Sequence, residues 1–169
     1  LQPLQLLEGQ FDYRIALTLP PASRNSDAPL GQLLVNSDLT GVSAPLPAPL
    51  TMTAGTRKPL TLTVDLYRDN RQDYRLDINR QLSGALSMRQ GQLFGGEVSV
   101  LGTPAQLPQQ GGPLQIRGTL PSGDLQQWLD LVAAYNRLPA AAADSTTPYP
   151  AFSFTVNNAI WRDMVFPQL

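Results

Sequence analysis

Histidine and cysteine are both absent from the 169 residues. Without histidine the chain lacks the commonest general base and the commonest metal ligand. A Ser-His-Asp triad is excluded outright. Without cysteine there are no disulfides and no thiolate chemistry, although that absence does not assign a compartment. Lysine is nearly missing as well: Lys58 is the only one, so arginine carries almost all the positive charge. The net charge of −1 leaves no basic excess for a phosphate backbone, which argues against nucleic acid as a partner. No Gly-Lys-Ser/Thr occurs, Gly91, Gly95 and Gly96 lack dinucleotide-loop spacing, and there is no Gly-x-Ser-x-Gly elbow. Long apolar runs are also missing. The longest candidate, residues 128–143, is broken by Asp130, Arg137 and Pro139 and is too short to span a membrane. Carboxylates alone can hydrolyse glycosides, but no acid pair here has a spacing that favours it. The expectation is a protein that is not an enzyme and has no cofactor and no metal.

Apolar residues, prolines and glycines are plentiful. Hydrophobic residues make up 42% of the chain and charged ones 15%, with 16 prolines and 13 glycines. That composition suits one domain of many short elements joined by turns. Phe11, Tyr13, Ile15, Leu17 and Leu19 alternate with Asp12, Arg14, Ala16 and Thr18, the period-two pattern of a half-buried strand ended by Pro20 and Pro21. Gln32–Asn36 reads as a short strand. Leu60, Leu62, Val64 and Leu66 form the next, and Tyr74, Leu76 and Ile78 another, with a hairpin turn over Arg68–Gln72. Leu82, Leu86 and Met88 continue the series. Residues 92–101 make a strand bent at Gly95-Gly96. After a Pro/Gln/Gly loop over 103–113, Leu114, Ile116 and Leu120 make a further strand. Phe152, Phe154 and Val156 begin another pair over 151–169.

One helix is expected over about 124–138. Asp124 is its N-cap with Gln127 as capping-box partner, and Leu125, Trp128, Leu129, Val132 and Tyr135 fall on one face. A linker follows over about 139–150. The fold class is mainly β, a β-rich α+β arrangement: a twisted, curved antiparallel sheet with one amphipathic helix. Residues 1–169 read as a single segment. The chain opens and closes inside apolar–polar alternation, so it is expected to be a piece of something longer.

Asp65, Asp69, Asp73 and Asp77 recur every four residues. On a helix they would line up as a cation site. The alternation of Tyr74, Leu76 and Ile78 places them on a hairpin instead, where interleaved arginines imply a solvated polar face with cross-strand ion pairs.

The most distinctive stretch is Ser37–Leu50. Pro45, Pro47 and Pro49 each fix φ, remove a donor and push the preceding residue to an extended conformation. The segment is therefore extended and excluded from a central strand; as a connector it reads as a proline-rich crossover over 43–50. Ser37, Asp38, Leu39, Gly41, Leu46, Pro47, Pro49, Leu50, Pro59 and Leu60 together form a strand, a Ser-Asp-Leu-x-Gly turn, a Leu-Pro-x-Pro-Leu step and a Pro-Leu strand. This resembles the recurrent module of the bacterial AsmA-like family, in its YhdP branch. The stretch 118–131, a Gly-x-Leu-Pro-type step into a helix bearing Trp128, is similar to that family's second motif. Thr51 stands where the family usually has lysine.

The resemblance implies an open groove with an apolar interior, in a large periplasmic protein of the Gram-negative cell envelope anchored in the inner membrane. Its implied activity is lipid transport toward the outer membrane, with phospholipid and neighbouring segments of the same chain as partners. The groove candidates are Phe11, Tyr13, Ile15, Leu17, Leu62, Val64, Leu76, Ile78, Phe152 and Phe154. Exposing a sixteen-carbon acyl chain to water costs about 12 kcal/mol at roughly 0.8 kcal/mol per methylene, so a carrier needs a continuous apolar path. Charges at Ile15 or Val64 are expected to block that path and leave the segment folded. The alternative is a structural spacer or docking module whose sheet closes over its own core.

Overall fold

A computed structural model describes residues 8–21, 27–48, 50–124, 126, 127, 130, 150–161 and 164–167. In chain order the strands are β1 (Glu8–Gly9), β2 (Tyr13–Thr18), β3 (Gly31–Ser37), β4 (Val42–Ser43), β5 (Leu60–Leu66), β6 (Arg71–Ile78), β7 (Leu82–Arg89), β8 (Gln92–Val100), β9 (Leu114–Leu120), β10 (Gly123–Asp124), β11 (Ala151–Val156), β12 (Asn158–Trp161) and β13 (Met164–Pro167). The fold is mainly β: a twisted, open eight-stranded sheet in the order β11-β9-β8-β7-β6-β5-β3-β2. Two small sheets accompany it, β1-β4 and β10-β12-β13.

From β2 to β8 every neighbouring pair is antiparallel, and short turns join β5, β6, β7 and β8. Asn70, Asn79 and Gln90 take positive φ in these turns, the last beside Gly91. The two pairings beyond β8 were not legible in the alternation: β9 lies parallel to β8, and β11 parallel to β9. A parallel neighbour needs a connection that returns the chain to the starting end of the previous strand. Residues 101–113 provide it for β9, and they pass over one particular face of the sheet. Ala105 N donates to Ser83 Oγ at 2.8 Å, and Gln106 N to Glu97 Oε2 at 3.0 Å. Pro108 packs over Gly95, and Gly112 N donates to Phe94 O at 2.9 Å.

The bend expected at Gly95-Gly96 is a β-bulge. Ser87 pairs with Gly95 and Met88 with Leu93, leaving Phe94 as the extra residue. The bulge resets the phase of alternation, so Leu93 shares a face with Val98 and Val100 although their numbers differ in parity. Phe94 turns to the other side, where the Arg89 guanidinium lies 3.5 Å above its ring.

The proline-rich stretch corrects one expectation. Ser37 stands opposite Leu60, so β3 and β5 are adjacent over their whole length. Residues 38–59 are an excursion beyond the strand ends that returns to the neighbouring position. They are neither a crossover nor a break in the sheet's wall. The excursion has its own small core of Leu39, Val42 and Ala44, with Pro47 also buried. Ser37 Oγ accepts from Leu39 N at 3.1 Å and donates to Asp12 O at 2.7 Å. Leu39 holds φ of 52°, and Asp38 Oδ1 accepts from Thr40 N at 3.2 Å. Gly41 is required because a Cβ there would strike the Gln10 carbonyl. Lys58 Nζ closes the excursion on Thr51 O at 2.6 Å. Leu46 and Leu50 are half-buried within it, and Pro49 lies outside the described residues.

Asp124 caps as expected, accepting from Gln126 N at 2.9 Å and from Gln127 N at 3.4 Å, with residues 126, 127 and 130 helical. The rest of the expected helix, including Trp128, and most of the 139–150 linker lie outside the described residues.

Candidate functional site

Directly opposed residues of neighbouring strands project from the same face of a sheet. Following the register across the main sheet therefore sorts every strand residue to one of two faces. Nine of the ten groove candidates fall on one face: Tyr13, Ile15 and Leu17 from β2, Leu62 and Val64 from β5, Leu76 and Ile78 from β6, and Phe152 and Phe154 from β11. Phe11 precedes β2, with its ring 6.2 Å from that of Tyr13.

The same register adds residues that alternation alone did not single out. One unbroken row of opposed positions runs Ile15, Val35, Leu62, Leu76, Gly84, Val98, Ile116, Phe152. It crosses all eight strands, a span of about 34 Å at the usual spacing of about 4.8 Å. A parallel row runs Leu17, Leu33, Val64, Tyr74, Leu86, Gly96, Leu114, and a third from Tyr13 through Leu60, Ile78, Leu82 and Val100 to Phe154. No charged residue occupies a paired position on this face. Ser37, Gln72 and the Tyr74 hydroxyl are its polar points, and the last two bond each other at 2.6 Å.

Among the described residues nothing is layered on this face as a second sheet. Val64, Val100 and Leu120 are buried, most others are half-buried, and the two edge strands are open: Ile15 is 54% exposed and Phe152 65%. Val64, at 7% exposed, is part of the sheet's own packing and a poor place for a charge. That revises the expectation that Val64 and Ile15 would tolerate a charge equally.

The opposite face carries the acids. Asp65 and Asp73 are directly opposed and both 6% exposed, so they are buried and not solvated as expected. Like charges in that position repel unless each is matched. Gln32 Nε2 donates to Asp65 Oδ1 at 2.8 Å and Arg75 pairs with Asp65 Oδ2. Ser87 Oγ donates to Asp73 Oδ1 at 2.8 Å, and Arg71 Nε lies 3.6 Å from Asp73 Oδ2. Arg117 pairs with Glu97 and donates to Thr103 Oγ1 at 2.8 Å, tying the 101–113 strap to the sheet. These carboxylates are spent on cross-strand contacts.

The arrangement defines a class: an open β sheet with one strapped polar face and one apolar face that runs across its full width and that no second sheet covers among the described residues. A family model described as YhdP protein matches residues 2–159. The chain belongs to the YhdP family, and that membership suggests a bacterial envelope protein. No curated protein and no solved structure matches the chain.

Proposed function

We propose that this chain is a segment of a periplasm-spanning protein, anchored in the inner membrane, whose uncovered apolar sheet face shelters phospholipid acyl chains as they move between the inner and outer membranes. The observation that carries the reading is the eight-strand apolar row from Ile15 to Phe152. A hydrocarbon chain laid along it exchanges water for side chains at every strand. Each buried methylene contributes about 0.8 kcal/mol, so hydrophobic burial alone is enough to hold it. The work is non-catalytic on this reading. A carrier needs weak contacts along its whole path, none strong enough to stop movement. Neighbouring segments of the same longer chain would extend the path at the open edges, β2 and β11.

Native mass spectrometry of the protein purified from cells tests this. Retained phospholipid, released by Ile15→Glu, is the expected result. A protein free of lipid in every preparation, longer versions of the chain included, contradicts it.

A further inference from the structure

Four glycines stand on the apolar face: Gly31, Gly84, Gly96 and Gly118. Glycine weakens a strand interior, and where it occurs there it marks a bulge or a close approach by another group. Three of the four have such a reason: a Cβ on Gly31 would crowd the Leu19 side chain at 3.1 Å. A Cβ on Gly96 would collide with the Leu86 side chain and stand 3.0 Å from the Ala85 carbonyl. A Cβ on Gly118 would meet the Phe154 ring at 2.8 Å and the Val100 carbonyl at 2.9 Å. Gly84 has none among the described residues. Its Cβ would touch only Leu76 Cβ, at an ordinary 3.6 Å, and its φ lies outside the left-handed region. The sheet therefore has room for a Cβ at Gly84, yet has none.

The position of the gap matters. Gly84 lies mid-sheet in the row from Ile15 to Phe152, between Leu76 on β6 and Val98 on β8. It leaves a slot in the row where a side chain is missing, with Leu82 and Leu86 the next residues along β7 on the same face. The other two rows have their glycines overlaid, by Leu86 and Phe154. With no charge at any paired position on the face, what enters the slot must itself be uncharged along its length.

We propose that Gly84 sets the track of the bound lipid: the acyl chain crosses the sheet along the Ile15–Phe152 row and lies deepest in the slot between Leu76 and Val98. This rests on the lipid-sheltering reading and names the residue that selects the path within it.

The test uses phosphatidylethanolamine carrying a diazirine at mid-chain, presented in vesicles to the purified protein and photolysed. Labelling is expected at Leu76, Val98 and the Leu82–Leu86 stretch. Gly84→Leu is expected to lower lipid retention roughly tenfold, equivalent to lifting about two methylenes off the sheet. Its thermal midpoint is expected to hold or rise, since glycine in a strand is itself a cost. Gly84→Ala should show a smaller loss in the same direction. Thr61→Leu, on the other face, should change neither.

A slot that exists only for folding gives the opposite pattern: Gly84→Leu destabilises the sheet. Labelling along the other two rows, with retention unchanged in Gly84→Leu, overturns the track and leaves the lipid-sheltering reading standing. Labelling of neither this face nor its edges overturns both.

Discussion

The two faces of the main sheet invert the usual distribution of burial. On the polar face Asp65, Asp73, Ala85, Ser87 and Ser99 are all buried to 6% exposure or less. On the apolar face Val64, Val100 and Leu120 are buried, but Leu62, Leu76, Ile78 and Leu82 remain partly open, and Ile15 and Phe152 are mostly so. In an ordinary half-buried sheet the alternation would bury the second set and wet the first. Over β5 and β6 the difference comes from cross-strand polar partners, and over β7 to β9 from one connection. The parallel entry of β9 obliges residues 101–113 to cross a face, and they cross the polar one, held by Ser83, Glu97 and Arg117. The sheet thus takes stability from polar packing on its strapped side and keeps its apolar side available.

On that division the largest single loss of stability comes from the polar face. Ala85, at 1% exposed, has no room to grow. Ala85→Asp is expected to cost about 3 kcal/mol or more in urea denaturation, as a charge forced into a filled position between Glu97 and an Arg75 already engaged by Asp65. Gly118→Ala, at a crowded position of the apolar face, comes next at about 1–3 kcal/mol, because the Phe154 ring and the Val100 carbonyl both obstruct the new methyl. Arg75→Ala removes one of the two partners of Asp65. The arginine side chain is 49% exposed, so solvent screening holds the expected loss to about 1 kcal/mol.

The apolar face supplies the contrast. Ile15→Glu is expected to change stability by about 0.5 kcal/mol or less, as at an open surface site, while depleting co-purified lipid. A loss of several kcal/mol there would mean that the face is a covered core. The smallest effect belongs to Asp38, whose carboxyl is held below its ordinary value by hydrogen bonds from Thr40. A depressed carboxyl stabilises the fold above its unfolded pKa, and that stabilisation fades as pH falls through the folded one. Asp38→Asn should flatten that part of the acid limb of the stability profile and leave neutral-pH lipid retention unchanged.

Much of this was readable in the residues. Tyr13, Ile15 and Leu17, or Leu62 and Val64, announce a strand and its apolar face by alternation alone. Gly95-Gly96 announced a bend, although not that the bulge would bring Leu93 and Val98 to one side. The strap was hidden. Alternation fixes which residues share a face, but nothing periodic in 101–113 tells which face a connection will cross. The excursion over 38–59 was hidden for a related reason. Prolines exclude a central strand, but whether the chain returns beside β3 or elsewhere depends on pairing far along the sequence, at Ser37 and Leu60. The strands β1, β4 and β10 are two residues long, too short to carry a period. Gly84 illustrates the limit most plainly. Its significance depends on what its neighbours leave empty, and no local pattern records that.

Because the chain contains no cysteine, a single introduced thiol reports one position cleanly. The most direct measurement is the alkylation rate of Leu76→Cys, compared with Thr61→Cys on the strapped side, in lipid-free protein and after loading with phosphatidylethanolamine. The account predicts a Leu76→Cys thiol that reacts readily when lipid-free and is protected at least severalfold by lipid, with Thr61→Cys indifferent. A Leu76→Cys thiol already shielded in lipid-free protein, or one that lipid does not protect, would contradict it.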